Sequence, residues 1–340
     1  MNLSFWFVTL SVIFSAIFSS VDALCPAYCN CSVPLVVNCS STAQHTIPKD
    51  IHNDTETLYL HNNSITRLKV NSFVKLTSLI TLRLDSNLIQ TIDNGAFNGA
   101  ESVETLNLAN NKITELKENT FSNLRNLTSL RLDVNNIASI EKKAFNGLNS
   151  LSLLKLSSND LTQLNSDMLD GVESLKRLEA DRNWISTIVD NTFTKTPLLT
   201  NLALNFNNMS EISSSFWTGL GKLQKLDLSY NRLQELKVDS FKGLTNIEHL
   251  VLDSNRIQSI EKGAFNGLDH LVSLEMSFNK LTTTRGYMLT GLRNVEFINL
   301  SLNNLTTLQE NSFEECCGKV KTLLMYHNQI EILDRNGSSV

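Results

Sequence analysis

LDLSYNRLQELKVDSFKGLTNIEH, residues 226–249, is one full period of a pattern that begins again at Leu250. Its frame is leucine-x-leucine-x-x-asparagine, here Leu226, Leu228 and Asn231. The same asparagine falls every 24 residues at Asn63, Asn87, Asn111, Asn135, Asn159, Asn183, Asn207, Asn231, Asn255, Asn279 and Asn303, and Asn328 follows after 25. A fixed period of this size marks a chain of stacked units, each too small to bury its apolar face alone. Twelve such units predict an α/β-type repeat solenoid, whose long curved surface is open to another molecule.

With the asparagine as origin, each column can be checked. Positions five and three before it are apolar in all twelve repeats, although Ala180, Met276 and Met325 replace leucine. A short strand there points these two inward and their neighbours outward, because side chains alternate along a strand. The slot two after the asparagine is always apolar, from Ile65 to Ile330, and five after it only Thr284 departs. Ten after it stands a bulky group: Phe73, Phe97, Phe121, Phe145, Leu169, Phe193, Trp217, Phe241, Phe265, Leu289 and Phe313. These are expected to stack as an internal spine on the convex side. The asparagine itself is expected to satisfy backbone N–H and C=O groups buried where the chain leaves the strand.

The amino terminus points to export. Phe5 to Phe18 is a nearly unbroken apolar run, and Val21, Asp22, Ala23 put small residues where a signal peptidase cuts, so residues 1–23 read as a signal peptide without a basic leader. The run is shorter than the about 20 residues of a membrane helix, and no later segment is expected to insert into a membrane. With 29 basic and 34 acidic residues the chain is mildly acidic, which disfavours nucleic acid as a partner. Cys25, Cys29, Cys31 and Cys39 fall in residues 24–52, ahead of the repeats. In an oxidising compartment such a cluster forms a disulfide-tied cap over the edge of the first repeat; zinc is the competing reading, and no histidine stands at ligand spacing. Spacing alone leaves three connectivities open.

The pattern Cys25-Pro26-x2-Cys29-x-Cys31-x7-Cys39, followed by 24-residue repeats with a phenylalanine spine, resembles extracellular leucine-rich repeat proteins such as Slit, the receptors with leucine-rich and immunoglobulin-like domains, Toll-related receptors, variable lymphocyte receptors and the amino-terminal part of peroxidasin. The resemblance implies a leucine-rich repeat horseshoe with a concave parallel β-sheet and a mostly irregular or short-helical convex side. It implies disulfides Cys25 to Cys31 and Cys29 to Cys39, and binding of a protein or glycan. The organisation expected is signal peptide 1–23, cap 24–52, twelve repeats over 53–335 and a polar tail 336–340. A second cysteine-rich cap, usual in these relatives, is missing. A fragment, an incomplete product, or an end covered by a partner all fit, and an open last repeat would favour self-association.

Ser139–Leu148, SIEKKAFNGL, returns at Ser259–Leu268 as SIEKGAFNGL, while the strand positions before them change from Arg131 to Val251 and from Val134 to Ser254, with Asp133 and Asp253 shared. A kept frame with a varied face is the layout of a binding surface on a rigid scaffold, although drift of exposed residues explains it too. The concave candidates are Arg131, Asp133, Lys155, Arg177, Glu179, Asp181, Asn205 and Asp227. Neighbouring strands bring Arg131 close to Lys155 and let Lys155 pair with Glu179, so this face is either an acidic-ligand site or a solvated surface of local ion pairs. At the strand exits stand Arg182, Trp184, Phe206 and Tyr230, of types enriched at interface hot spots. Trp184 occupies a column filled nearly throughout by polar groups such as Lys112, Asp160 and Arg256, from which Leu88 also departs.

Glycosylation is expected at Asn53, Asn62, Asn126, Asn208, Asn299 and Asn304; a glycan on Asn299 would project from the concave face and one on Asn62 would crowd repeat one. Cys316 fits a core slot, whereas Cys317 calls for a vicinal disulfide or a missing partner. Repeat ten, with Thr284, Gly286 and Leu289, is a candidate soft spot or bend. The six histidines are dispersed and no hydrolase, metalloprotease or phosphate-loop motif is present, so neither catalysis nor a cofactor or metal is expected. The expectation is a secreted or cell-surface recognition module. The targeting region of a larger extracellular enzyme and a structural matrix component are the alternatives.

Overall fold

The computed structural model describes residues 25–284, 287–313, 316 and 318–334. The expected signal peptide and the expected polar tail, Cys317 and Gly286 lie outside the described residues. Thirteen short strands form one parallel sheet, running from Val36–Asn38 of the cap and Thr57–Tyr59 of the first repeat through every coil to Thr322–Leu324. Register is uniform: Leu154 pairs with Leu178, Leu178 with Leu202 and Leu202 with Leu226. A 24-residue period leaves no other choice, since a one-residue slip would turn every leucine outward. Among the described residues the opposite side has strands of two or three residues, turns and four 3-10 helices, such as Ser166–Leu169 and Ser214–Trp217. This is a leucine-rich repeat horseshoe with very little helix.

The spine forms as the columns require. Phe73, Phe97, Phe121 and Phe145 stack in sequence with ring centroids 5.7, 5.8 and 5.9 Å apart, and Phe241 stacks on Phe265 at 5.9 Å. Trp217 takes the same slot with no exposed surface, and its indole N–H donates to Ser240 O at 2.8 Å. The ladder asparagines meet the expected backbone groups. The Asn231 amide donates to Leu204 O and Leu228 O at 2.9 and 3.1 Å, and its carbonyl accepts from Met209 N–H at 3.0 Å. Every coil is thereby stitched to the one before it, and the ladder is scaffold.

The duplicated decapeptides fold alike. Glu141 accepts from Glu118 N–H and Glu261 from Val238 N–H, both at 2.9 Å. Their one difference, Lys143 against Gly263, falls on a left-handed residue with φ of 62° and 82° respectively, where glycine carries no steric penalty. In the cap, Cys25 bonds Cys31 and Cys29 bonds Cys39. Cys39 and Val37 are buried against repeat one, so the cap continues the core. Repeat ten offsets its polar substitution: Thr284 is fully buried, and its hydroxyl hydrogen-bonds that of Ser312 at 2.7 Å. Cys316 is buried and disulfide-bonded. In the last described coil Leu323, Met325 and Ile330 are half-buried, whereas Ile298, Leu300 and Leu305 one coil earlier are fully buried.

Candidate functional site

The twelve predicted site residues fall into two sets. Arg131, Asp133, Lys155, Arg177, Glu179, Asp181, Asn205 and Asp227 lie on or just past the concave strands Ser129–Arg131, Leu153–Lys155, Arg177–Glu179, Asn201–Ala203 and Lys225–Asp227. Arg182, Trp184, Phe206 and Tyr230 gather instead in a shallow groove along the rim where the strands exit.

On the concave face most of the charge is paired within the chain. Arg131 stands directly beside Lys155 on the neighbouring strand, as expected, and forms a two-pronged hydrogen bond with Asp133 at 3.1 and 3.0 Å, as Arg83 does with Asp85 at 3.0 and 2.9 Å. Residues two apart on a strand share a face, which makes the Arg-x-Asp spacing self-neutralising. The Asp133 hydrogen bond holds the Arg131 guanidinium pKa above its ordinary value. Lys155 pairs with Glu179 at 2.6 Å, and Arg177 reaches the same carboxylate at 2.7 Å. Asp227 accepts from the backbone and hydroxyl of Ser229. Farther along, Glu275 lies beside Asp253; burial first, and then the Asp253 charge, push its carboxyl pKa up.

The groove is built by a different column. In each of the twelve repeats the residue before the ladder asparagine is left-handed, with φ between 53° and 58°. Asn62, Asn110 and His327 suit that conformation. Arg182, Phe206 and Tyr230 occupy it at φ of 54°, 54° and 53°, where a side chain costs roughly 1 kcal/mol. Their amides donate to Asn205 O, Ser229 O and Asp253 O at 3.0, 3.0 and 2.9 Å, so each backbone is fixed to the next coil. Coil spacing of about 4.8 Å then brings the side chains into register. The Arg182 guanidinium carbon lies 4.3 Å from the centre of the Phe206 ring, and Phe206 stacks on Tyr230 at 4.1 Å with the planes 7° apart. Such cation–π and stacked contacts each contribute about 0.5–1.5 kcal/mol.

Trp184, 58% exposed, borders this stack, and its amide donates to Leu161 O at 2.9 Å. The groove has a volume of about 590 Å³ and is completed by Asn208, Arg232, Ser254, Arg256 and the ladder asparagines. No carboxylate lines it. Among the described residues, neither Arg232 nor Arg256 has an ion-pair partner within 4.0 Å. Sequence reasoning passed over Arg232 and Arg256 because a polar residue after the ladder is the rule in that column. Their common column with Trp184 was the available signal.

The Leucine rich repeat family profile matches eight overlapping segments, from residues 53–113 to residues 269–330. The chain belongs to the leucine-rich repeat family. It is 42% identical over 78 residues to leucine-rich repeat-containing protein 3 of Danio rerio, a stretch covering 22% of this chain and 29% of that relative. It is 39% identical over 79 residues to leucine-rich repeat-containing protein 3B of Homo sapiens, covering 23% and 30%. The matched stretch thus spans under a third of either relative. Among solved structures, the chain is similar to one in the octameric complex of Latrophilin 3, Unc5D and FLRT2, with TM-score 0.70, 25% identity, and coverage of 89% of this chain and 84% of that one. A chain of the Drosophila Toll–Spatzle complex matches with TM-score 0.68 at 22% identity, covering 85% and 43%. A chain of the LRIM1/APL1C complex matches with TM-score 0.65 at 23% identity, covering 82% and 48%. The last two are likenesses of fold.

Proposed function

We propose that this chain is the recognition part of a secreted or cell-surface protein and that it binds a protein partner through the strand-exit groove of repeats six to nine, with the adjoining concave face completing the contact. The observation that carries the reading is an exposed tryptophan beside a stacked Arg182–Phe206–Tyr230 column, with two arginines that lack partners in the described chain. A partner covering these groups removes apolar ring surface from water and supplies the missing counter-charges, whereas the fold gains nothing by exposing them. Two disulfides in the cap support an oxidising compartment. Similar chains in complexes named for several proteins support a protein as the ligand. The role is recognition rather than catalysis.

The test is binding of the tagged chain to intact cells and to extracellular matrix. Trp184→Ala and Arg182→Ala should abolish binding that Arg131→Ala retains. Loss of binding after protease treatment of the target, but not after glycosidase treatment, identifies a protein ligand; the reverse result replaces it with a glycan. Equal binding by Trp184→Ala and the unaltered chain would refute the site.

A further inference from the structure

We propose that the groove carries its own cover: an N-linked glycan on Asn208 lies across Trp184 and closes the groove to protein partners, so that occupancy of this one sequon sets the fraction of molecules able to bind. The proposal rests on reading the groove as the binding site. Asn208, Met209 and Ser210 form an Asn-x-Ser sequon directly after the ladder Asn207. Asn208 therefore stands in the column that holds Trp184 one coil earlier and Arg232 one coil later. With coils about 4.8 Å apart, a sugar on Asn208 starts one coil from the exposed indole. Of the sequon asparagines 53, 62, 126, 208, 299 and 304, Asn208 alone lines the groove.

The local structure leaves this side chain available. The Asn208 backbone is fixed by its amide donating to Ile185 O at 2.8 Å, and Met209 is fully buried in the core. The Asn208 side-chain amide makes no hydrogen bond among the described residues, and Ser210 is exposed. By contrast, the Asn62 amide donates to Ser41 and the Asn299 carbonyl accepts from Ser301 N–H. In the secretory pathway the donor is a lipid-pyrophosphate-linked oligosaccharide. A bond forms between Asn208 Nδ2 and sugar C1, the C1–O bond to phosphate breaks, the lipid pyrophosphate leaves, and the amide gives up one proton. A pyranose ring has an apolar face of C–H groups, which gains by lying against an aromatic ring, and indole is the largest such surface here. Arg232 and Arg256 supply N–H donors to the sugar hydroxyls.

Trp184 provides the readout. The other tryptophan of the described chain, Trp217, has no exposed surface, and Trp6 lies in the expected signal peptide. Acrylamide quenching of fluorescence from the secreted full chain therefore reports on the groove. Peptide mass mapping is expected to find a glycan on Asn208, with the accessible fluorescence quenched severalfold less than in Asn208→Gln or Ser210→Ala. Enzymatic removal of the sugar from the folded protein gives the same contrast without a substitution. Asn126→Gln, at an exposed sequon outside the groove, should change nothing. An unmodified Asn208 in the secreted protein overturns the proposal, as does equal quenching with and without the sugar. Either result leaves the groove itself standing, because that reading falls only if Trp184→Ala preserves partner binding.

Discussion

The concave face of repeats two to six and the strand-exit groove of repeats six to nine are both rich in charge, yet they differ in what that charge is doing. On the concave face Arg83, Arg131, Lys155 and Arg177 are each held by a carboxylate one strand or two residues away. In the groove Arg182 rests on Phe206, while Arg232 and Arg256 face an opening with no acidic lining. The number of charged residues alone would rank the first surface higher, although its charges nearly cancel. What separates them is satisfaction: paired groups give up a partner to bind another molecule, and unpaired groups beside exposed rings do not.

The contrast can be broken most severely within repeat six, where core and rim lie a few residues apart. Phe193→Ala empties a fully buried spine position and should destabilise the fold by about 3–5 kcal/mol, read from the denaturant midpoint. Trp184→Ala should leave that midpoint nearly unchanged and weaken partner binding by about 2–4 kcal/mol. A large loss of stability for Trp184→Ala would mean that its ring belongs to the scaffold after all.

Across the two surfaces, Arg131→Ala should alter partner binding by less than about 1 kcal/mol, because it removes a partly exposed internal ion pair. An effect as large as that of Trp184→Ala would move the site onto the concave face. Backbone conformation sharpens the distinction further. Tyr230→Asn relieves a left-handed strain of roughly 1 kcal/mol and loses a Phe206 stack of about 0.5–1.5 kcal/mol, so stability should change by less than about 1 kcal/mol while binding falls. Destabilisation beyond that, together with lost binding, would assign the Phe206–Tyr230 stack to the scaffold.

The smallest effect is expected at Glu275. Its carboxyl pKa is raised in the fold by burial and by Asp253, so the native state holds the proton more tightly than the unfolded chain does. Stability from this group is therefore present at low pH and is lost as pH rises through the native value. Glu275→Gln should stabilise the protein at pH 7 by at most about 1 kcal/mol, the scale of an exposed charge pair. The gain should vanish near the unfolded carboxyl value of about 4.3. An equal gain at both pH values would exclude titration as its source.

The repeat frame was legible because it is written in columns. Leu226, Leu228, Leu233, Phe241 and Asn231 follow from a fixed period, and each has one physical use in a stacked coil. Trp184 was legible, with Leu88, as an exception to its column, whereas Arg182, Phe206 and Tyr230 were legible only as residue types enriched at interfaces. The concave pairing was only half legible: Lys155 with Glu179 and the adjacency of Arg131 and Lys155 follow from strand neighbours, but the Arg131–Asp133 bond does not. Which of two nearby carboxylates an arginine chooses depends on side-chain geometry, which periodicity does not contain.

The sequence by itself determined the coil, its register and its core, because a 24-residue repeat of apolar positions has one way to bury them all. Only the tertiary structure decided that residues 24 apart with unlike chemistry share one groove. Trp184, Asn208, Arg232 and Arg256 occupy one column, Arg182, Phe206 and Tyr230 another, and stacking sets them side by side on the rim. The left-handed backbone before each ladder asparagine was likewise invisible in the residues that occupy it, since Arg182, Phe206 and Tyr230 do not favour it. There the coil's hydrogen bonds override local preference, and that override places the rings where a partner can reach them.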